Sequence, residues 1–302
     1  MSINDTHCHF FSSRFFELLV AKPDDAGPKR PGLQADEIAA RIGWEAPGSA
    51  EALADRWVAE LDRHGVSRAA LIASIPGDED SVAAAVARHP SRFVGFFMVN
   101  PQSFDAAARM DRALGQQKLR CICLFPAMHR YPLNDDKVEV VFQTAERYGA
   151  AVFIHCGVLS VGVRAKLGLP STFDLRMGDP LGAATLASTY PKVPVIIPHF
   201  GAGFFREALM AASQAPNIHL DTSSSNSWMK YYPGLTLDAV FRQALQVAGA
   251  ERLLFGTDSS FFPRGWQKDV YDAQVKALES AGASPQERAL VLGENFDRIF
   301  KP

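Results

Sequence analysis

Eight short apolar segments, each separated from the next by a longer stretch of helical periodicity, constrain this chain more than any other feature of its sequence. Strand cores are expected at 3–7, 69–74, 93–99, 120–125, 151–155, 194–199, 217–221 and 253–258. Helices are expected between and after them at 49–64, 78–89, 104–116, 135–148, 180–190, 203–214, 237–248 and 266–281. Strands that alternate with helices run parallel, because a parallel pair needs a crossover connection. Eight of them imply a closed (β/α)8 TIM barrel rather than an open doubly wound sheet. The first strand is not followed by Gly-x-Gly-x-x-Gly, so a dinucleotide site would lack its phosphate cradle. With 302 residues, 47% of them hydrophobic, the chain can bury one barrel core over its whole span, 1–302.

The ends of these segments carry the chemistry. Asp5-Thr6-His7-Cys8-His9 closes the first, and side chains two apart on a strand share a face, so both imidazoles could grip one ion. Alone the pair is a weak motif. Phe-Ile-His155-Cys-Gly, Ile-Pro-His199-Phe-Gly and Phe-Gly-Thr-Asp258-Ser-Ser repeat the arrangement of an apolar run, a polar group and then Gly or Ser. That is the pattern of the C-terminal rim where barrels place reactive groups. Imidazoles with a carboxylate suit a divalent ion, zinc first and manganese as the alternative, and an open position would make the site catalytic. His7, His9, His155 and Asp258 are the expected ligands, with Asp258 also moving protons and His199 beside them as general acid or base. The bland readings are core histidines for His155 and His199 and a turn residue for Asp258. His64, His89 and His219 read as structural, as does His129, although its loop follows the fourth strand at the same rim.

Two segments exceed ordinary loop length, 10–48 and 157–178, and both follow ligand-bearing strands. Rim walls or lids are expected there. The first carries Arg14, Arg30 and Arg41, and Arg14 and Arg41 are the expected clamp for an acidic substrate, with Arg164, Arg176 and Arg264 next. Phe10, Trp228 and Phe261 are expected to give the pocket an apolar wall for a small-molecule substrate.

A formal charge of −2 without a local basic run argues against nucleic acid. No export signal and no membrane-length apolar stretch are recognised, so a cytoplasmic protein is expected, and a homodimer is compatible with the reading. Cys8, Cys121, Cys123 and Cys156 lie in or beside strands and read as reduced, buried thiols rather than a disulfide framework or a Cys-x-Cys metal pair.

Together these segments resemble the amidohydrolase superfamily, and within it the amidohydrolase-related (amidohydrolase 2) group that includes aminocarboxymuconate-semialdehyde decarboxylase. The ending Leu292-Gly-Glu-Asn295-Phe-Asp-Arg298-Ile-Phe is similar to that group's C-terminal helix. Binuclear members carry a bridging Lys or Glu at the end of the fourth strand, where this chain reads Arg120-Cys121-Ile-Cys123-Leu-Phe125. The resemblance therefore implies one metal ion. It implies a metal-dependent hydrolase of a small organic acid, lactone or amide. A non-oxidative decarboxylase of an aromatic or unsaturated acid is the alternative, and a catalytically inactive metal-binding barrel is a third.

Overall fold

The computed structural model describes residues 2–21, 34–224 and 226–301. All eight expected strands form: β1 Asn4–His9, β2 Arg68–Ala73, β3 Phe93–Val99, β4 Cys121–Leu124, β5 Ala151–Ile154, β6 Val195–Ile197, β7 Ile218–Asp221 and β8 Leu253–Leu254. They are parallel and pair in sequence order from β1 to β8. Hydrogen bonds from Thr6 N to Phe255 O (2.8 Å), Asp258 N to His7 O (2.9 Å) and His9 N to Ser259 O (2.7 Å) bring the last strand back to the first. The final strand is shorter than the expected 253–258, because beyond Leu254 the chain pairs only through these single bonds and Asp258 takes a left-handed conformation (φ 61°).

Each expected helical window contains a helix, from Ala50–Arg63 after the first insertion to Lys268–Ser280 after β8. Ser49 starts the first by accepting from Ala52 N, and Asp135 and Asp179 cap two others in the same way, satisfying amides that a helix start leaves open. The long segments add helices that strand periodicity does not reveal: Ser13–Val20 and Ala35–Arg41 in the first, Gly162–Lys166 in the second. Arg30 lies outside the described residues.

Side-chain alternation sorts the strands into two apolar layers. Ala151 and Phe153 on β5 and Cys121 and Cys123 on β4 point into the lumen with Ile72, Phe96 and Met98. Their neighbours Val152, Ile154, Ile122 and Leu124 pack outward against the helices. Gly95 shows how tight this outer layer is, since a Cβ there would meet Val82 Cγ1 at 3.1 Å and collide with Leu119. All four cysteines are free and buried, as expected. Among the described residues no helix is long and apolar enough to cross a membrane.

The C-terminal helices close the lower end of the lumen. Phe296 and Phe300 are buried there, with ring centroids 5.2 Å apart and Phe300 5.1 Å from Phe96. Asn295 Nδ2 donates to Ala250 O (2.7 Å) and Leu253 O (2.9 Å). Arg68, at the start of β2, donates to Asp297 (2.7 Å) and Phe300 O (2.9 Å) while covering the Phe296 ring.

Candidate metal centre and cavity

At the opposite rim a cavity of about 820 Å³ opens among the loops that follow the strands, and His7, His9, His155, His199 and Asp258 all line it. Among the described residues, His7, His9 and Asp258 form the one cluster whose ligand atoms all lie within 4.8 Å of one another. His9 Nε2 is 3.0 Å and His7 Nε2 3.8 Å from the same oxygen, Asp258 Oδ1. His155 stands next to this cluster, its ring 5.4 Å from that of His199, which is 4.9 Å from that of His7.

Partners on the far side of each ring fix which nitrogen faces the centre. His7 Nδ1 donates to Asp221 Oδ2 at 2.7 Å, leaving the Nε2 lone pair toward Asp258. Ser74 spends its hydroxyl proton on Ile72 O (3.0 Å), so its oxygen accepts from His9 Nδ1 at 2.6 Å and His9 Nε2 is again the bare nitrogen. His199 Nδ1 donates to Ser223, reaching its carbonyl at 3.2 Å and its hydroxyl at 2.9 Å, and its Nε2 makes no hydrogen bond among the described residues. His155 Nδ1 is buried without any partner among them.

Burial pushes His9 below its ordinary range despite the pull of Asp258, and burial together with the neighbouring His199 and His7 pushes His155 well below it. His199 is lowered by burial and then by His7. For His7, burial is outweighed by Asp221, which raises its pKa and makes Nε2 the more basic donor. Burial raises the Asp258 carboxyl, but its close contact with His9 and the fields of His7, His9 and His199 outweigh that and hold it far below the usual carboxylate range. Two imidazole Nε2 atoms thus approach one carboxylate oxygen in a buried cluster, and imidazoles grouped with a carboxylate in this way fit a divalent ion.

The supporting lattice is built by close packing. Asp5 accepts from His7 N (2.9 Å), Thr257 N (3.1 Å), Thr257 Oγ1 (2.5 Å) and Trp266 Nε1 (2.7 Å), so it ties β1 to the segment that follows β8, next to the candidate ligands His7 and Asp258. A Cβ on Gly256 would stand 3.0 Å from His7 Cβ and Asp221 Oδ1, which explains the Gly in Phe-Gly-Thr-Asp. After β6, residues 199–203 all have positive φ, including His199 (55°), Phe200 (52°) and Ala202 (44°). Backbone strain of about 1–3 kcal/mol per non-glycine residue is characteristic of functional sites. The turn also presses on the β5 loop, where a Cβ on Gly157 would collide with the carbonyls of Gly201 and Ala202.

The substrate side of the expectation needs correction. Phe10 is fully buried in the outer layer with Leu53 and Trp57, because His7 and His9 face the lumen and residue 10 must face away. Phe11, one position on, lines the cavity with Phe15 and Trp44 from the first insertion, and Trp228 and Phe261 line it as expected. Arg14 lies outside the cavity and pairs with Glu17 at 3.2 Å, and Arg41 is an exposed residue that does not line it. Arg164 bonds Pro170 O and Arg176 pairs with Asp174, also away from the cavity. Of the five arginines only Arg264 contributes to the lining, with Lys166 and Lys230. Asp221, Ser74 and Ser223 were not singled out from the sequence. Asp221 nonetheless carries the same signal as the ligands, a polar group ending an apolar run and followed by serines.

Fold and site together define a (β/α)8 barrel with a His-x-His strand end and an aspartate from the last strand at one rim. The Amidohydro_2 family model, described as "Amidohydrolase", matches residues 4–301, and the chain belongs to that family. It is similar in structure to 5-carboxyvanillate decarboxylase from Sphingomonas paucimobilis (TM-score 0.65, 19% identity, 99% of both chains). A probable 2-pyrone-4,6-dicarboxylic acid hydrolase from Acinetobacter baumannii also shares the fold (TM-score 0.61, 15% identity, 99% of both chains). So does a 5-carboxyvanillate decarboxylase from Novosphingobium aromaticivorans with bound manganese (TM-score 0.64, 14% identity, 100% of this chain and 97% of that one). In sequence, the chain is 30% identical over 168 residues to the protein fluG of Emericella nidulans. That match covers 55% of this chain and 18% of the length of fluG.

Proposed function

We propose that the cavity is the active site of a metal-dependent hydrolase acting on a small organic acid, lactone or amide. The observation that carries this reading is the convergence of two imidazole Nε2 atoms on Asp258 Oδ1, each turned inward by a partner on its Nδ1. His7, His9 and Asp258 would hold one divalent ion, zinc first and manganese second, with the neighbouring His155 as the further donor. When bound, such an ion polarises a carbonyl and acidifies a nearby water toward a pKa of about 7. His199, with Nδ1 committed to Ser223, would take the proton of the attacking water at Nε2 and return it to the leaving oxygen or nitrogen. The aromatic wall would keep bulk water from the reacting carbon.

A non-oxidative carboxy-lyase is the second reading, supported by the likeness of the fold to the two decarboxylases and by the aromatic residues that line the cavity. In that chemistry the bond to the carboxyl carbon breaks, its electron pair stays on the ring or alkene carbon, and a proton is delivered there as CO2 departs.

Metal analysis of purified protein, followed by a screen of lactones, amides and aromatic carboxylates, tests both. One ion per chain and metal-dependent hydrolysis are expected. Release of CO2 without hydrolysis moves the assignment to the lyase, and bound metal with no turnover of any class leaves a metal-binding barrel.

A further inference from the structure

Three cations line the cavity from three different loops: Lys166 after β5, Lys230 after β7 and Arg264 after β8. Among the described residues none of them forms an ion pair, and Asp258 is the one carboxylate in the lining. Elsewhere on the protein arginines pair freely with carboxylates, as Arg88 does with Asp55 and Arg109 with Glu79. An unpaired positive field over a cavity is a recognition feature for anions.

Arg264 is the most constrained of the three. Its Nη2 donates to Ser260 Oγ at 2.7 Å and lies 3.3 Å from Asp258 O, beside the candidate metal ligands. Its guanidinium lies 4.5 Å over the ring of Phe261. Phe261 stacks on Trp44 (4.0 Å, 7°), Trp44 is parallel to Phe11 (5.7 Å, 3°), and Phe11 stacks on His9 (5.4 Å, 22°). A column of nearly parallel rings thus runs from the candidate ligand His9 to the guanidinium. Two separate chain segments build it, joined by Glu45 N to Phe262 O at 2.9 Å. Stacking on Phe261 and two bonds through one nitrogen orient the guanidinium while leaving most of its five N–H groups for a ligand.

We propose that Arg264 is the specificity-determining residue of this cavity, binding a carboxylate of a flat, ring-bearing acid that lies along the Phe11–Trp44–Phe261 wall with its reacting group at His7, His9 and Asp258. Lys166 and Lys230 draw the anion in. A carboxylate held by Arg264 stays close to the reacting group, because Arg264 Nη2 is 3.3 Å from Asp258 O. A cavity of about 820 Å³ has room for both.

The proposal rests on the cavity being the reaction site, so its test reads binding rather than turnover. Benzene-1,3-dicarboxylate and its uncharged dimethyl ester are titrated calorimetrically into the parent protein, Arg264→Gln and Arg264→Lys, each as isolated and zinc-loaded, with circular dichroism to check folding. The diacid should bind the parent and lose about 10–100-fold in affinity in Arg264→Gln. Lysine should recover only part of that, lacking the planar fork. The ester should bind weakly and equally to all three. In Lys166→Gln/Lys230→Gln the affinity for the diacid should become less sensitive to salt. No binding of the diacid by the parent, an unchanged affinity in Arg264→Gln, or equal losses for acid and ester would overturn the proposal. A catalytically silent protein that still shows the Arg264 dependence would sink the proposed function alone.

Discussion

The two ends of the barrel are built from the same inward-facing strand positions and have opposite characters. At the lower end Ala151 and Phe153 of β5, Cys121 and Cys123 of β4 and the plug of Phe296 and Phe300 make a closely packed apolar cluster. One further inward step along β5 brings His155, and the corresponding ends of β1, β7 and the last strand bring His7, His9, Asp221 and Asp258. The strand register that gives stability where a strand begins gives chemistry where it ends. Burial is nearly as complete at the rim, where His7 is 1% exposed and Asp221 0%. The rim therefore keeps its polar groups largely by matching buried nitrogens to partners, whereas the floor is held mainly by apolar packing.

If that division is real, substitutions at the two ends should separate activity from stability. The largest effect is expected at Asp258, whose oxygen is the common point of both imidazoles. Asp258→Ala should take bound metal from about one ion per chain to near none and abolish turnover, with a melting curve that still shows a folded barrel. Retention of the metal would show that the ligand set lies elsewhere.

His199→Asn comes next. It should lower kcat by about 10²–10⁴ while metal content holds, since the role argued for it is proton transfer. Joint loss of metal and activity would make His199 a ligand instead. At the floor, Phe296→Ala should destabilise the protein by about 3–5 kcal/mol through the cavity it leaves. Urea denaturation would measure this, and kcat/KM of the folded fraction should be unchanged. A comparable fall in kcat/KM would mean that the plug and the rim are mechanically coupled.

A smaller effect is expected one residue back from the metal. Asp221→Asn keeps the shape of the His7 partner but removes its charge, and metal affinity should fall by about 10–100-fold, as outer carboxylate partners generally contribute. Competition with a chelator measures it. An unchanged affinity would mean that His7 does not bind through Nε2.

How much of this was legible in the sequence follows the same physics. The eight strands were readable because burial on both faces imposes short continuous apolar runs, and His7, His9, His155, His199 and Asp258 were readable because each interrupts such a run at its end. Ser74 and Ser223 were not, since a hydroxyl that orients an imidazole across the barrel leaves no local pattern. Phe10 was misassigned although parity decides it: with His9 inward, Phe10 faces the helices and Phe11 the cavity. Arg14 and Arg41 sit on insertion helices whose cavity-facing side depends on tertiary packing. Arg264 could be distinguished from Lys166 and Lys230 only in three dimensions, by the Phe261 ring beneath it and the Ser260 hydroxyl that orients it.

The smallest difference between the ends concerns protons. His219 lies on β7 near Arg298 and Arg252, and burial first, then Arg298, pushes its pKa down to about 4. In the unfolded chain an ordinary histidine titrates near about 6.5. Because the folded value is the lower one, the unfolded chain takes up the proton first as pH falls. Stability from this group is therefore intact above about pH 6.5 and is lost progressively from there down to about pH 4. Between about pH 7 and 5.5 the loss amounts to about 1 kcal/mol. His129, pushed to about 4 by burial in the same direction, adds a separate contribution, so one substitution removes only part of the acid sensitivity. His219→Gln retains a donor for Asn217 O, which His219 Nδ1 reaches at 3.1 Å, and cannot ionise. Urea titrations at the two pH values should show an acid loss smaller by about 1 kcal/mol in this variant. The acid limb of kcat/KM, which the proposed function assigns to the rim histidines, should stay in place. If His219→Gln shifts both the stability limb and the activity limb, the floor and the rim titrate as one unit, and the separation of stability from chemistry along the strands fails.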